Sequence, residues 1–414
     1  MVKKENNEQR VLGLLSAGHG FSDVNQSALT ALLPYLVYAN GYDLAKVSVL
    51  VMASNLAGSV AQPVFGWMVD KKNQNWMLWL SIFLACGGIA LCGTTSSFFL
   101  LCVYAMISGI GVAMFHPQAA SMVNRISKLK KEGKNISLFS LGGKLGYTFG
   151  PMLITLGITR FGTKGTLVFF IPAVIYGILW RKWIRKFDDS TQERNDLKRL
   201  EKVEKKDDWL SFSRLCVAVI GRSIVTNVLS TFLALYLIQI FSFPEDLANT
   251  LLSVYYGVGI FGVLMGGILA DRIGLMKSII WSLLAMGIAL GLLGVANYLF
   301  LALVLLVIIS ITESLCYSPL VVLGQRYLPN HLGIASGVTL GLAVSIGALF
   351  CPVFGMLADR FSLKVIFPVL AAGIFVSFLA VMGLKDYPRE KSGKNKKALK
   401  AATSNLTEKA KSMS

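Results

Sequence analysis

The chain has 414 residues, of which 54% are hydrophobic and 15% charged, with a mean hydropathy of +0.62. A water-soluble domain needs far more polar surface, so this composition excludes an ordinary soluble protein and makes the bilayer the expected solvent. The formal net charge of +18 invites a nucleic-acid reading, but the basic residues fall in the loops and tails between apolar stretches, so no nucleic-acid partner is expected.

Twelve apolar stretches follow one another at about 12–39, 46–69, 76–95, 98–122, 136–159, 165–184, 212–241, 247–270, 276–296, 299–325, 332–358 and 363–384. Each reaches the ~20 residues needed to cross a hydrocarbon core ~30 Å thick. They are too long for transmembrane strands and lack strict alternation, which predicts an all-α membrane protein.

The first stretch carries Ser16, His19, Asp23, Gln26 and Thr30 at steps of three and four, which places them on one helical face. A polar stripe in lipid points inward. Asp23 is the candidate proton carrier, with His19 one turn away to tune it, because such a carboxyl can load and release a proton near neutral pH. Interhelical hydrogen bonding alone is the plainer alternative. Asn25 and Gln26, in the same run, are candidate substrate contacts.

After the second stretch comes Gly66-Trp67-Met68-Val69-Asp70-Lys71-Lys72, and after the eighth comes Gly267-Ile268-Leu269-Ala270-Asp271-Arg272. Glycine lets helices approach, and the acid can cap a helix start while a base pairs across the loop, so Gly66, Asp70, Gly267, Asp271 and Arg272 read as gating loops. The first copy lacks the downstream Gly-Arg and predicts a weaker latch. In the fourth stretch, Phe115-His116-Pro117 joins a titratable ring to a kinking proline. In the fifth, Gly142, Gly146 and Gly150 form a smooth face for tight helix packing. Lys144 and Tyr147 lie beside that face as candidate substrate contacts, although Lys144 could also snorkel or pair with Asp23.

The first six stretches, residues 1–184, are separated from the second six, residues 211–384, by a charged linker at 185–210. Leu197, Leu200 and Val203 at helical spacing predict a surface helix in that linker. In the seventh stretch Arg222 precedes Thr226, Asn227 and Ser230, and in the tenth Glu313 precedes Tyr317. Arg222, Asn227 and Tyr317 are candidate substrate contacts, since a guanidinium makes paired charged bonds to phosphonate, phosphate or carboxylate groups. Glu313 is a candidate proton site, or it neutralises Arg222 within the protein. The two halves repeat at an offset of 201 residues: Gly66 and Asp70 match Gly267 and Asp271, and Gly150-Pro151 matches Cys351-Pro352. Parallel repeats predict a binding site near mid-membrane between two bundles. A third copy, Gly355-Met356-Leu357-Ala358-Asp359-Arg360, reads as a counterpart of the loops on the outer side.

Residues 385–414 form a Lys-rich tail expected to be disordered and able to touch anionic lipid. The six cysteines all lie within apolar stretches without metal-ligand spacing, so small-residue packing is expected and no metal. With the N-terminus placed in the cytoplasm, 33 Lys and Arg fall on the inner side and five on the outer. The positive-inside rule therefore predicts a multi-pass inner (plasma) membrane protein with both termini cytoplasmic. No cleavable signal peptide is expected.

The loop motif resembles that of the major facilitator superfamily. Within it, four runs are similar to the fosmidomycin-resistance family of drug/proton antiporters: Gly18-His19-Gly20-Phe21-Ser22-Asp23-Val24-Asn25-Gln26-Ser27, Gln62-Pro63 with Gly66, Phe115-His116-Pro117, and Gly142-Gly143 with Gly146 and Gly150-Pro151. Lys144 departs from the family, which carries Asn there. The resemblance implies twelve helices in two six-helix bundles, alternating access, and spans 1, 4, 7 and 10 lining the cavity. Asp23, His116, Arg222 and Glu313 fall on those four spans. The expected activity is proton-coupled efflux of a small amphipathic or anionic drug, fosmidomycin among the candidates, by a monomer with no cofactor beyond the proton gradient. A proton- or anion-coupled importer of an organic anion or sugar stays open, as does a channel or sensor. An enzyme is not expected, since no nucleophile triad, paired metal ligands or nucleotide loop is present.

Overall fold

The computed structural model describes residues 2–71, 74–126, 132–184, 206–329, 335, 338–339 and 343–384. Among them every regular element is helical, and no strand occurs. The first half contains α1 (Val2–Asn40), α2 (Leu44–Lys71), α3 (Trp76–Cys92), α4 (Phe98–Ile126), α5 (Glu132–Phe161) and α6 (Phe170–Leu179). The second contains α7 (Trp209–Phe241), α8 (Glu245–Ile273), α9 (Leu275–Val295), α10 (Leu299–Leu315), α11 (Tyr317–Tyr327), α12 (Ala343–Leu349), α13 (Cys351–Arg360) and α14 (Ile366–Met382).

Eight helical stretches of the described residues are long and apolar enough to cross a membrane. The predicted number of twelve divides differently for physical reasons. Helix α1 runs for 39 residues but carries the polar stripe, which lowers its hydropathy. Residues Leu138–Trp183 form one continuous apolar stretch in which α5 and α6 meet through a 3-10 segment, Gly162–Phe169. The third, Trp76–Cys92, is apolar but only 17 residues long. Part of the eleventh, 332–358, lies outside the described residues. The tenth, Leu299–Tyr327, is one span although Cys316 divides it into α10 and α11. The linker helix expected at Leu197, Leu200 and Val203 and the tail from Lys385 lie outside the described residues.

The turns follow local chemistry. Gly41 closes α1 with φ +64°, a conformation open to glycine, and its N–H donates to the Val37 carbonyl at 2.9 Å. Asp208 caps α7, its carboxylate accepting from the Ser211 N–H at 3.0 Å and the Ser211 hydroxyl at 2.7 Å.

Packing puts α1 against α5 through the glycine face. A Cβ at Gly142 would run into the Ser16 carbonyl, one at Gly146 into the Gly20 carbonyl, and one at Gly150 into the Ser27 hydroxyl. Close backbone approach of this kind is what small residues allow between membrane helices. A related approach occurs 201 residues on from Gly146, where Gly347 of α12 packs on Ser223 of α7. Helices of the two halves meet where α5 packs on α8 and α2 packs on α13.

Candidate functional site

The α1 stripe sends only part of its length to other helices. Ser16 donates back to the Leu12 carbonyl and Thr30 to the Ser27 carbonyl. His19 and Asp23, one turn apart, instead meet His116 from α4 and Phe139 from α5. His19 Nε2 lies 3.3 Å from Asp23 Oδ2, and His116 Nε2 lies 3.4 Å from Asp23 Oδ1. The rings of His19 and His116 meet edge to face at 5.2 Å, and Phe139 stacks on His19 at 4.2 Å. Asp23 is 7% exposed, and its Oδ1 makes no hydrogen bond among the described residues.

The backbone fixes which ring nitrogen holds hydrogen. His19 Nδ1 lies 2.8 Å from the Phe139 carbonyl oxygen, which can only accept, so Nδ1–H is the donor. In a neutral ring Nε2 is then a lone pair, and it faces a carboxylate oxygen. Two lone pairs do not share that contact, so one further proton belongs between them, on the imidazole or on the carboxyl. Gly143 leaves the space for this pair: a Cβ there would lie 2.6 Å from Asp23 Oδ2 and 2.7 Å from His19 Nε2.

A second polar cluster lies in the other half. Glu313 Oε1 accepts from Arg222 Nη1 at 3.1 Å and from the Thr226 hydroxyl at 2.6 Å, while Oε2 accepts from the Tyr255 hydroxyl at 2.8 Å. Arg222 and Glu313 are each 7% exposed. The Arg222 guanidinium also lies over the Tyr317 ring at 4.9 Å, and Lys144 Nζ sits 5.9 Å from the same ring. Among the described residues the Lys144 ammonium makes no direct ion pair or hydrogen bond, although the Asp23 and Glu313 carboxylates both act on it through space.

Between the clusters runs a line of tyrosines. The Tyr147 hydroxyl donates to Gln26 Oε1 at 2.7 Å. Its ring meets Tyr256 of α8 at 5.5 Å, and Tyr256 meets Tyr255 at 5.8 Å. A chain of contacts thus joins α1 and α5 to α8 and α10.

Of the residues singled out in the sequence, His19, Asp23 and His116 come together, and Arg222, Glu313 and Tyr317 come together. Gln26 and Tyr147 bond each other. Asn25 points elsewhere: it is fully buried, and its amide donates to the Phe21 carbonyl at 2.7 Å and to Cys86 of α3 at 3.4 Å. Two positions of helix separate it from Asp23 by roughly 200° around the axis, so it ties α1 to α3. Asn227 donates back to the Ser223 carbonyl at 2.9 Å. Gly66 does not mark a close helix approach, since a Cβ there would meet nothing within 4 Å. The surroundings of Asp70, Gly267 and Asp271 lie outside the described residues, and Arg272 is exposed in the last turn of α8. Sequence reasoning missed Tyr255 and Gly143; the Tyr255-Tyr256 pair inside an apolar span and the doubled glycine were the available signals.

A helical membrane bundle with a buried charge cluster in each half is the arrangement expected of a membrane transporter. The Major Facilitator Superfamily model matches residues 15–341 and 215–412, and the chain belongs to that family. It is 27% identical over 386 residues to the fosmidomycin resistance protein of Escherichia coli K12, covering 90% of this chain and 91% of that one. It is likewise 27% identical over 389 residues to the uncharacterized MFS-type transporter YfnC of Bacillus subtilis 168, with the same coverage. Among solved structures, a bacterial homologue of the human lysosomal transporter Spinster, inward-facing and occupied, superposes with a TM-score of 0.72 at 15% identity, covering 90% of this chain and 95% of that one. The nucleoside transporter NupG gives a TM-score of 0.71 at 13% identity, covering 90% and 99%. The chain is therefore a multi-pass membrane transporter of small molecules.

Proposed function

We propose that this transporter is a proton-coupled exporter of a small anionic, fosmidomycin-like compound, working by alternating access as a monomer in the cytoplasmic membrane with both termini inside. The six-helix halves, 1–184 and 211–384, rock about a central cavity. No cofactor is needed beyond the proton gradient. The observation that carries the reading is the His19–Asp23–His116 cluster, whose geometry leaves one proton between an imidazole and a buried carboxylate. A carboxylate with one oxygen unbonded has little to lose when that proton arrives or departs. The relative in Escherichia coli, a fosmidomycin resistance protein, gives the substrate its class. Arg222 is bonded to Glu313, whereas Lys144 makes no direct ion pair among the described residues, which leaves its ammonium available to an anion.

Lys144 also favours a second reading, proton-coupled import of an organic anion. It acts electrostatically on Asp23. A proton on the Asp23 cluster and an anion on Lys144 stabilise one another, which is the sign that symport requires.

Reconstitution in liposomes with a luminal pH dye separates the two. Under export by antiport, an anion added outside to inward-driven vesicles moves protons opposite to itself; under symport both enter and the lumen acidifies. Asp23→Asn is expected to abolish pH-gradient-driven flux while substrate binding and counterflow persist. Unchanged gradient-driven flux in that variant would remove Asp23 as the carrier.

A further inference from the structure

The third glycine–aspartate motif has a structural partner that the transport site does not use. Asp359 lies in the last turn of α13, and its carboxylate reaches the first turn of α2, in the other half of the chain. Oδ1 accepts from the Leu44 N–H at 3.1 Å and Oδ2 from the Ala45 N–H at 2.9 Å. These amides belong to the group that every helix start leaves without an intrahelical acceptor. Helix α2 has a carboxylate of its own just before it, but Asp43 serves the next amide, Lys46 N–H, at 2.6 Å. The start of α2 is thus capped by two acids, one of which arrives from a helix more than 300 residues away in sequence.

Glycine makes the approach possible. A Cβ at Gly355, one turn before Asp359, would stand 2.7 Å from Ala45 Cα and 2.9 Å from Ala45 N. The spacing Gly-x-x-x-Asp therefore serves two linked purposes: the glycine brings α13 against the start of α2, and the acid then meets its amides. The contact lies at the end of the bundle opposite the Gly66 and Gly267 loops, because α2 begins there and ends at its loop.

We infer that Asp359 is a detachable helix cap that locks the outer ends of the two halves together. Opening the cavity outward separates α13 from α2 and strands both amides and the carboxylate, which then take water. The cap therefore weights the equilibrium toward the outward-closed form. The inference rests on the alternating-access and termini-inside parts of the proposed function and is independent of substrate and of proton coupling.

Spin labels on cysteines at Phe99 and Phe300, both highly exposed at the starts of α4 and α10, report the width of the outer end by pulsed electron resonance. The full chain is used in lipid nanodiscs without substrate. Asp359→Asn keeps the shape but weakens the charged cap, and Gly355→Ala pries the same contact with the carboxylate intact. Each is expected to raise the open-to-closed ratio roughly two- to thirtyfold, the range for loss of one helix cap. Combined, they should add less than the sum of their separate effects, because both break one contact. Arg360→Gln, next in sequence, should leave the distribution alone. Unchanged distances in both Asp359→Asn and Gly355→Ala, or an equal shift in Arg360→Gln, would overturn the assignment. A transporter that fails to couple protons yet shows these shifts would sink the proposed function and keep the cap.

Discussion

Among the described residues each half of this transporter buries one carboxylate, Asp23 and Glu313, and the two are treated differently. Glu313 takes three donors on two oxygens, one of them a guanidinium, with close contacts throughout. Asp23 meets two imidazoles at 3.3 and 3.4 Å and leaves one oxygen without a hydrogen bond. A saturated buried ion pair resists any change of charge, since removing one partner strands the other in a medium that cannot solvate it. A loosely held carboxylate beside two titratable rings changes charge at little cost. From sequence Glu313 was open as a proton site or as the counter-ion of Arg222; in the proposed cycle the contrast favours the second, fixed role.

The sharpest way to break this comparison is to disturb the saturated side. Arg222→Met leaves Glu313 buried without its counter-ion and is expected to cost about 3–5 kcal/mol. Thermal unfolding in detergent measures it. The double variant Arg222→Met/Glu313→Leu should recover most of that loss, because two apolar groups replace a matched pair. Should the single variant melt with the wild type, Glu313 is as loosely held as Asp23 and the distinction between the halves fails.

Next in size is Lys144, a cation of the first half that makes no direct ion pair among the described residues. Lys144→Gln is expected to weaken binding of anionic substrates by about 1.5–3 kcal/mol, tenfold or more, the worth of a hydrogen bond to a charged group. Neutral substrates should be unaffected. Binding isotherms for a matched neutral and anionic pair decide it, and equal losses for both would make Lys144 a packing residue.

How much of this was legible in the sequence depends on which signal carried each part. The α1 stripe was legible because a period of 3.6 sorts polar residues onto one face, and His19, Asp23 and Gln26 do face other helices. The same stripe lowers the hydropathy of α1, yet the stretch 12–39 was still legible as a span because apolar residues fill the other faces. Asn25 misled because neighbours in sequence lie on opposite faces of a helix, and its environment next to Cys86 left no trace in the motif. Tyr255 was invisible for the opposite reason: a tyrosine in an apolar run has no period to stand out from. The offset of 201 residues was legible in the loop and Gly-Pro motifs, and it also relates Gly146 to Gly347, a pair the motifs did not mark although each makes a close helix approach. The same offset pairs His116 with Tyr317, so one half keeps a titratable ring where the other keeps a phenol beside Arg222.

The helix seams allow a finer test of whether the halves are equivalent. Gly146→Ala places a methyl against the Gly20 carbonyl on the seam that also positions His19 and Asp23. It should cost about 1–3 kcal/mol of stability, as overpacking does, and should also disturb proton-driven flux. Gly347→Ala, its counterpart against Ser223, should cost a similar amount of stability and leave coupling intact. Melting and flux measured on both variants check this, and equal loss of coupling would mean that both seams hold proton sites.

The smallest expected effect comes from Tyr147, which stands between the halves. Its hydroxyl donates to Gln26 at 2.7 Å while its ring meets Tyr256 across the interface. Tyr147→Phe removes the hydrogen bond and keeps the ring contact, so about 0.5–1.5 kcal/mol is expected from the bond alone. If the tyrosine line only packs the halves together, stability should fall by that amount and the substrate KM should hold. If it relays occupancy of one cluster to the other, KM for the anionic substrate should rise a fewfold while maximal flux is retained. Tyr256→Phe serves as the control, since its ring would keep both aromatic contacts and its hydroxyl makes no bond to Gln26 or Glu313. A KM change in Tyr147→Phe but not in Tyr256→Phe places the communication between halves in the single bond to Gln26, one turn from Asp23.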